Sequence, residues 1–149
     1  MTYEKMPKFD KEEVFCQVLH LPRAVYMHAC GARFDDNRPS RDRPTSRDIY
    51  LQLLQDGLSR FEKNVIDLPA NKVSFFTTPV WHNKGLTVSI QVPKEIQARA
   101  ISAMGKFREV HGDVIPYMLD FYTSLMEYEI NEGVKELPPH LYKQYKKRI

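Results

Sequence analysis

The most informative side chains for chemistry stand in one run, Leu86-Thr87-Val88-Ser89-Ile90-Gln91-Val92. Thr87, Ser89 and Gln91 occupy alternate positions, so an extended chain places them on one face and the four aliphatic residues on the other. Such a row offers hydrogen bonds to base edges: a glutamine can grip adenine with two bonds, and serine or threonine can serve either base type. The competing reading is that the row is simply the wet face of a sheet. A second set combines Arg38, Arg41 and Arg43, in a loop rich in Arg, Asp and Pro, with Thr45, Ser46 and Arg47 directly after them. The start of a helix presents free amides and a positive dipole end, so Thr45, Ser46 and Arg47 are candidate phosphate ligands, with Arg41 and Arg43 beside them. Asp35, Asp36 and Asp42 partly cancel that charge, and a solvated charged loop is the bland alternative.

Enzymatic chemistry finds little support. Cys16 and His20 are four apart and would share a helical face, yet their segment VFCQVLHL reads as a strand. His28 and Cys30 are two apart, a spacing that separates them on a helix. No HExxH, CxxC, phosphate-cradling glycine loop or nucleophile elbow occurs, and no carboxylate pair stands in an apolar setting. The expectation is a protein that is not an enzyme and needs neither metal nor cofactor.

Four amphipathic helical stretches and two strands surround these candidates. Ile115, Met118, Leu119, Tyr122, Leu125 and Met126 recur at steps of three and four, which predicts a helix over 113–132, capped by Asp113, with Pro116 in its first turn and Gly133 as the stop. Ile96, Ala100, Ala103, Met104 and Phe107 predict a second helix over 93–107, which Pro93 can open without losing a useful donor. Upstream, residues 14–21 are β-prone and end at Pro22. A short helix over 23–34 follows, turning Val25, Ala29 and Phe34 inward. A longer one over 47–63, capped by Thr45 or Ser46, buries Tyr50, Leu53, Leu54, Leu58 and Phe61. Aligning Pro22 with Pro93 gives an internal repeat of architecture offset by 71 residues (93 − 22). Counting back from Pro22, the first strand turns Cys16, Val18 and His20 outward, although a one-residue slip would exchange every face. His20 is the best base-contacting candidate there, with a structural role as its alternative.

The 149 residues are enough for one compact domain, and 42% hydrophobic with 28% charged residues is ordinary globular composition. A net charge of +3 permits nucleic-acid binding without requiring it. No apolar run is long enough to span a bilayer, the first residues do not resemble a signal peptide, and two cysteines form no framework, so a cytoplasmic protein with reduced thiols and no membrane contact is expected. Residues 1–13 read as a loose polar arm. Residues 64–85 read as a connector, in which Phe75, Phe76 and Trp81 are expected to pack rather than stack on bases. Residues 134–149 read as a basic tail carrying Lys143, Lys146, Lys147 and Arg148.

Strand, proline, short helix, loop and long helix, occurring twice, resembles the ribbon-helix-helix superfamily that includes the Arc and MetJ repressors. The segments Thr87-Val88-Ser89-Ile90-Gln91-Val92-Pro93-Lys94-Glu95-Ile96 and Thr45-Ser46-Arg47-Asp48-Ile49-Tyr50-Leu51-Gln52-Leu53-Leu54 carry the likeness. Members normally dimerise by pairing one strand from each chain. Two units in one chain, 14–63 and 86–133 within a domain of 14–133, resemble the TraY-type relaxosome proteins and the overdrive-binding accessory protein of Ti-plasmid transfer. The resemblance implies a mainly α fold with a two-stranded antiparallel ribbon, the two units forming a pseudo-dimer that binds double-stranded DNA through the ribbon in the major groove. It implies base contacts from Thr87, Ser89, Gln91, His20 and Val18, and phosphate contacts from Thr45, Ser46, Arg47, Arg41, Arg43 and Lys84. Gly112 and Asp113 would occupy the second phosphate anchor, where Asp113 repels the ligand and makes the two ends unequal. Implied partners are a relaxase, a type IV secretion component or a partition-type ATPase. Transcriptional repression and a DNA-independent adaptor role are the alternatives. Neither strand carries the Arg or Lys that the superfamily often places on the ribbon.

Overall fold

The computed structural model describes residues 3–77, 85–115 and 117–135. Element order is β1 (Val14–Leu21), α1 (Arg23–Phe34), α2 (Ser46–Asn64), α3 (Ala70–Thr77), β2 (Leu86–Pro93), α4 (Lys94–His111) and α5 (Met118–Lys135), with short 3-10 turns at Lys11–Glu13 and Ser40–Asp42. The chain is thus mainly helical with one antiparallel two-stranded sheet, β1 against β2. A lone two-stranded ribbon is marginal in water, so its inner face must be covered. Leu19, Leu21, Ile90 and Val92 supply that face and are buried over the helices.

Proline opens both helices that follow the strands. Pro22 and Pro93 sit at the N-caps of α1 and α4 with extended backbone, where a missing N–H leaves no carbonyl unserved. Thr45 caps α2 in a reciprocal box: its hydroxyl accepts the Asp48 amide at 3.2 Å, and the Asp48 carboxylate accepts the Thr45 amide at 2.8 Å.

The long helices form the base. α2 packs against α5, and each also lies against the strand of the other half of the sequence, α2 on β2 and α5 on β1. At the crossing Gly57 has no side chain, because a Cβ there would stand 2.1 Å from the Leu125 carbonyl oxygen. Phe61, Phe76, Phe107, Phe121 and Tyr128 meet as an aromatic cluster, with Phe76 4.7 Å from Phe61 and 5.3 Å from Tyr128 between ring centroids. The Arg60–Glu129 pair at 2.8 Å and the Lys72–Glu132 pair at 2.7 Å tie α2 and α3 to α5.

Several expectations are corrected. The last helix does not begin at Asp113: Val114 and Ile115 enter the core outside any helix, and the Ile115 amide donates to the Phe76 carbonyl at 3.0 Å. Gly133 does not stop that helix, which continues to Lys135. Leu119 is 38% exposed and Phe34 83% exposed, so neither belongs to the buried stripe. The connector contains α3, an unanticipated helix that delivers Phe76 to the core; Phe75 also packs there.

The segment from Tyr3 to Phe9 is held down rather than loose. Tyr3 is buried, and its hydroxyl is hydrogen-bonded to Nε2 of buried His28 at 2.5 Å. Arg38 binds the Tyr3 carbonyl, the Glu4 carboxylate at 3.0 Å and the Asp36 carboxylate at 2.7 Å. Gln52 pairs with both backbone groups of Glu4. Trp81, Lys84, Pro116 and the basic tail lie outside the described residues.

Candidate nucleic-acid interface

The register of the ribbon decides which side chains face solvent. Cys16 stands opposite Gln91, Val18 opposite Ser89 and His20 opposite Thr87, and directly opposed residues share a face. The outer face therefore brings Cys16, Val18 and His20 together with Gln91, Ser89 and Thr87. Gln17, Leu19 and Leu21 turn toward the helices, the side expected by counting back from Pro22. Val18 is 58% exposed. Cross-strand bonds order the row: Cys16 Sγ lies 3.0 Å from Ser89 Oγ, and His20 Nδ1 lies 3.4 Å from Thr87 Oγ1. Gln91 is exposed at the end of the row next to Cys16.

The N-terminus of α2 abuts this ribbon. Arg47 Nε donates to the Ser89 carbonyl at 2.8 Å, which clamps the guanidinium beside the outer face while its terminal nitrogens make no hydrogen bond among the described residues. Arg33, at the end of α1, donates to Ser46 Oγ at 3.1 Å. Sequence reasoning missed Arg33. Its position in the last turn of α1 was visible, but only the folded loop brings it to the start of α2. Two arginines thus flank the helix end from separate elements. Thr45 is a weaker phosphate candidate than its position suggested, since its hydroxyl and amide are both committed to Asp48, whose carboxylate also sits there.

The arginine-rich loop divides. Arg38 is fastened to Asp36 and the N-terminal residues. Its hydrogen bonds hold the Asp36 carboxyl down at about 2, and Asp36 in turn raises Arg38 further above its already high value. Arg41 and Arg43 are exposed, Arg41 standing 4.0 Å from Asp42. The opposite end of the base differs in kind: the segment before α5 presents exposed Asp113 and Tyr117, and Asp120 falls in the first turn. Gly112, with φ at 90°, ends α4 rather than starting the next helix. Glycine alone adopts that backbone without steric cost.

Among the described residues, no group of three or more His, Cys, Asp or Glu could hold a metal ion, and no helix is long and apolar enough to cross a membrane. Comparison with protein-family models, curated proteins and solved structures finds no match to this chain.

Proposed function

We propose that this protein binds double-stranded DNA by laying the outer face of the β1–β2 ribbon in the major groove. The observation that carries the reading is the register, which gathers Val18, His20, Thr87, Ser89 and Gln91 on one exposed face beside the Arg47 and Arg33 guanidiniums. Strands about 4.8 Å apart make a ribbon narrow enough for a groove about 12 Å wide, where every base pair is distinguishable. Thr87, Ser89 and Gln91 would read base edges with His20, and Val18 would meet a thymine methyl. Ser46, Arg47, Arg41 and Arg43 would hold phosphates, with Thr45 contributing least.

In this reading the chain is two ribbon-helix-helix units joined in tandem, with α2 lying against the strand of the second unit and α5 against that of the first. The crosswise contacts of α2 with β2 and of α5 with β1 support it. The biological role would be that of an accessory factor in conjugative or T-DNA-type DNA processing, marking or bending DNA for a relaxase or type IV secretion component. Repression or partition with an ATPase is the alternative for the same DNA-binding face. A relaxase gene next to this one would favour transfer, and a toxin or ATPase gene the alternative.

A second reading, a protein-interaction adaptor, is favoured by one observation: the outer ribbon face carries no Lys or Arg and exposes Val18. Salt dependence separates the two. Neutralising about four to six phosphates should give log K against log salt a slope of roughly −4 to −5. A flat response assigns the face to a protein partner. On duplexes selected from a random pool, Gln91→Ala should cost about 1–3 kcal/mol at one base pair, whereas Arg47→Ala should weaken all sequences alike.

A further inference from the structure

The N-terminal segment, read as a loose arm from the sequence, forms one wall of a cleft beside the proposed reading face. The cleft has a volume of about 370 Å³; Met6, Lys8 and Phe9 line it on one side, and Arg47, Ser89 and Gln91 on the other. Three separate fastenings hold the segment in that place: the Tyr3–His28 hydrogen bond, the Arg38 clamp on Tyr3 and Glu4, and the Gln52 pairing with the Glu4 backbone. Its register along the ribbon is therefore set by contacts upstream of Lys8, of which Tyr3–His28 is buried and those to Glu4 are exposed. Two cations from separate parts of the chain, Lys8 and Arg47, line the same cleft, and among the described residues Asp48 is the one carboxylate lining it. Two cations against one carboxylate leave the cleft with a net positive charge, and the Thr45 amide holds one Asp48 oxygen in place. Met6 and Phe9 give it an apolar flank, both being half-buried against the core.

We infer that this cleft receives the sugar–phosphate backbone of duplex DNA at the edge of the groove entered by the ribbon. Lys8 takes a phosphate on the arm side of Arg47, and Met6 and Phe9 pack against deoxyribose. A mixed wall of cation and apolar surface suits a backbone that alternates anionic phosphate with uncharged sugar. The inference rests on the DNA-binding reading and adds a contact that the ribbon and α2 do not supply.

The test uses the full chain and a fluorescently labelled 24-base-pair duplex of arbitrary sequence, because phosphate contacts persist in non-specific binding. Binding is followed by anisotropy between 50 and 250 mM salt for the wild type, Lys8→Ala, Lys8→Arg and Lys5→Ala. Lys5 is exposed and does not line the cleft, so it controls for diffuse charge. Removing one phosphate contact should make the slope shallower by about 0.9 and weaken binding on the order of fivefold at 0.15 M salt. Lys8→Ala is expected to show that loss, and Lys8→Arg and Lys5→Ala to retain the wild-type slope. A wild type that binds with the steep slope while Lys8→Ala matches it overturns the cleft and leaves the ribbon reading standing. Equal losses for Lys5→Ala and Lys8→Ala also overturn it, since the arm would then act only as diffuse charge. A wild type insensitive to salt removes both.

Discussion

Gly57 provides the sharpest test of how the base of the protein is built. An alanine there would put a Cβ 2.1 Å from the Leu125 carbonyl oxygen and 2.8 Å from its carbon. Carbon–oxygen contacts across helix interfaces settle near 3.3 Å, so α2 and α5 must separate by about 1.2 Å. The obstacle is backbone, which cannot rotate aside. A gap of that size forfeits a quarter to a half of the dispersion energy of each contact it opens, among them the Phe61–Phe121 ring contact between α2 and α5. Overpacking of this kind costs about 3 kcal/mol, and the better helix propensity of alanine returns about 1, for a net loss of about 2 kcal/mol. For a domain of this length that is a fall in Tm of about 6 °C. Gly105 is the internal control: it lies in α4, it is exposed, and a Cβ there meets nothing within 4 Å. Gly105→Ala should therefore stabilise by about 0.5–1 kcal/mol through propensity alone. Urea unfolding followed by circular dichroism would measure both. A Gly57→Ala protein as stable as Gly105→Ala would refute the close crossing and the interlocked base with it.

Between pH 4 and 7 the pH dependence of stability should be dominated by two opposed groups, buried His28 and half-buried Glu127. Burial lowers His28 to about 4, so its contribution is full above the unfolded value of 6.5 and is lost as pH falls toward 4. Burial pushes Glu127 up to about 7, so its folded carboxyl prefers the proton and stability is lost as pH rises from 4.5 to 7. Each shift corresponds to roughly 3 kcal/mol, and the two nearly cancel across the shared window. Glu127→Gln should make stability climb with pH between 5 and 7, and His28→Asn should make it fall; urea midpoints at pH 5 and pH 8 that move in parallel for both variants would contradict this. Arg38→Ala removes the clamp on Tyr3 and Glu4 and should speed tryptic cleavage at Lys5 and Lys8 while leaving helical circular dichroism intact. Unchanged cleavage kinetics would mean that the other fastenings suffice.

The elements that carry the proposed site were legible because local rules and tertiary packing agree there. Strict alternation in LTVSIQV admits only one buried face, and Pro22 and Pro93 mark where each strand must give way to a helix. Counting back from Pro22 offered Cys16, Val18 and His20 as the outward set but left a one-residue slip open, and the pairing with β2 fixes that register. What the sequence hid depended on distant partners. Phe76 belongs to an eight-residue helix too short to show a period, and its carbonyl captures the Ile115 amide, which pulls Val114 and Ile115 into the core before α5 begins. Asp113 looked like a cap only because that long-range bond is invisible locally. The polar composition of the first residues concealed Tyr3, whose burial on His28 is one of three fastenings of the segment. Arg38 was indistinguishable in sequence from Arg41 and Arg43, yet only Arg38 has a carboxylate two residues away whose side chain is itself nearly buried. Arg33 needed the folded loop to reach Ser46.

The central claim is that the outer ribbon face enters duplex DNA, and amide chemical-shift mapping during a duplex titration tests it most directly. The largest changes should fall on Cys16, Val18, His20, Thr87, Ser89 and Gln91, with Arg47 next and the α4 surface around Ile101 silent. Shifts that leave both strands unmoved, or that appear only on the helices, would contradict the account.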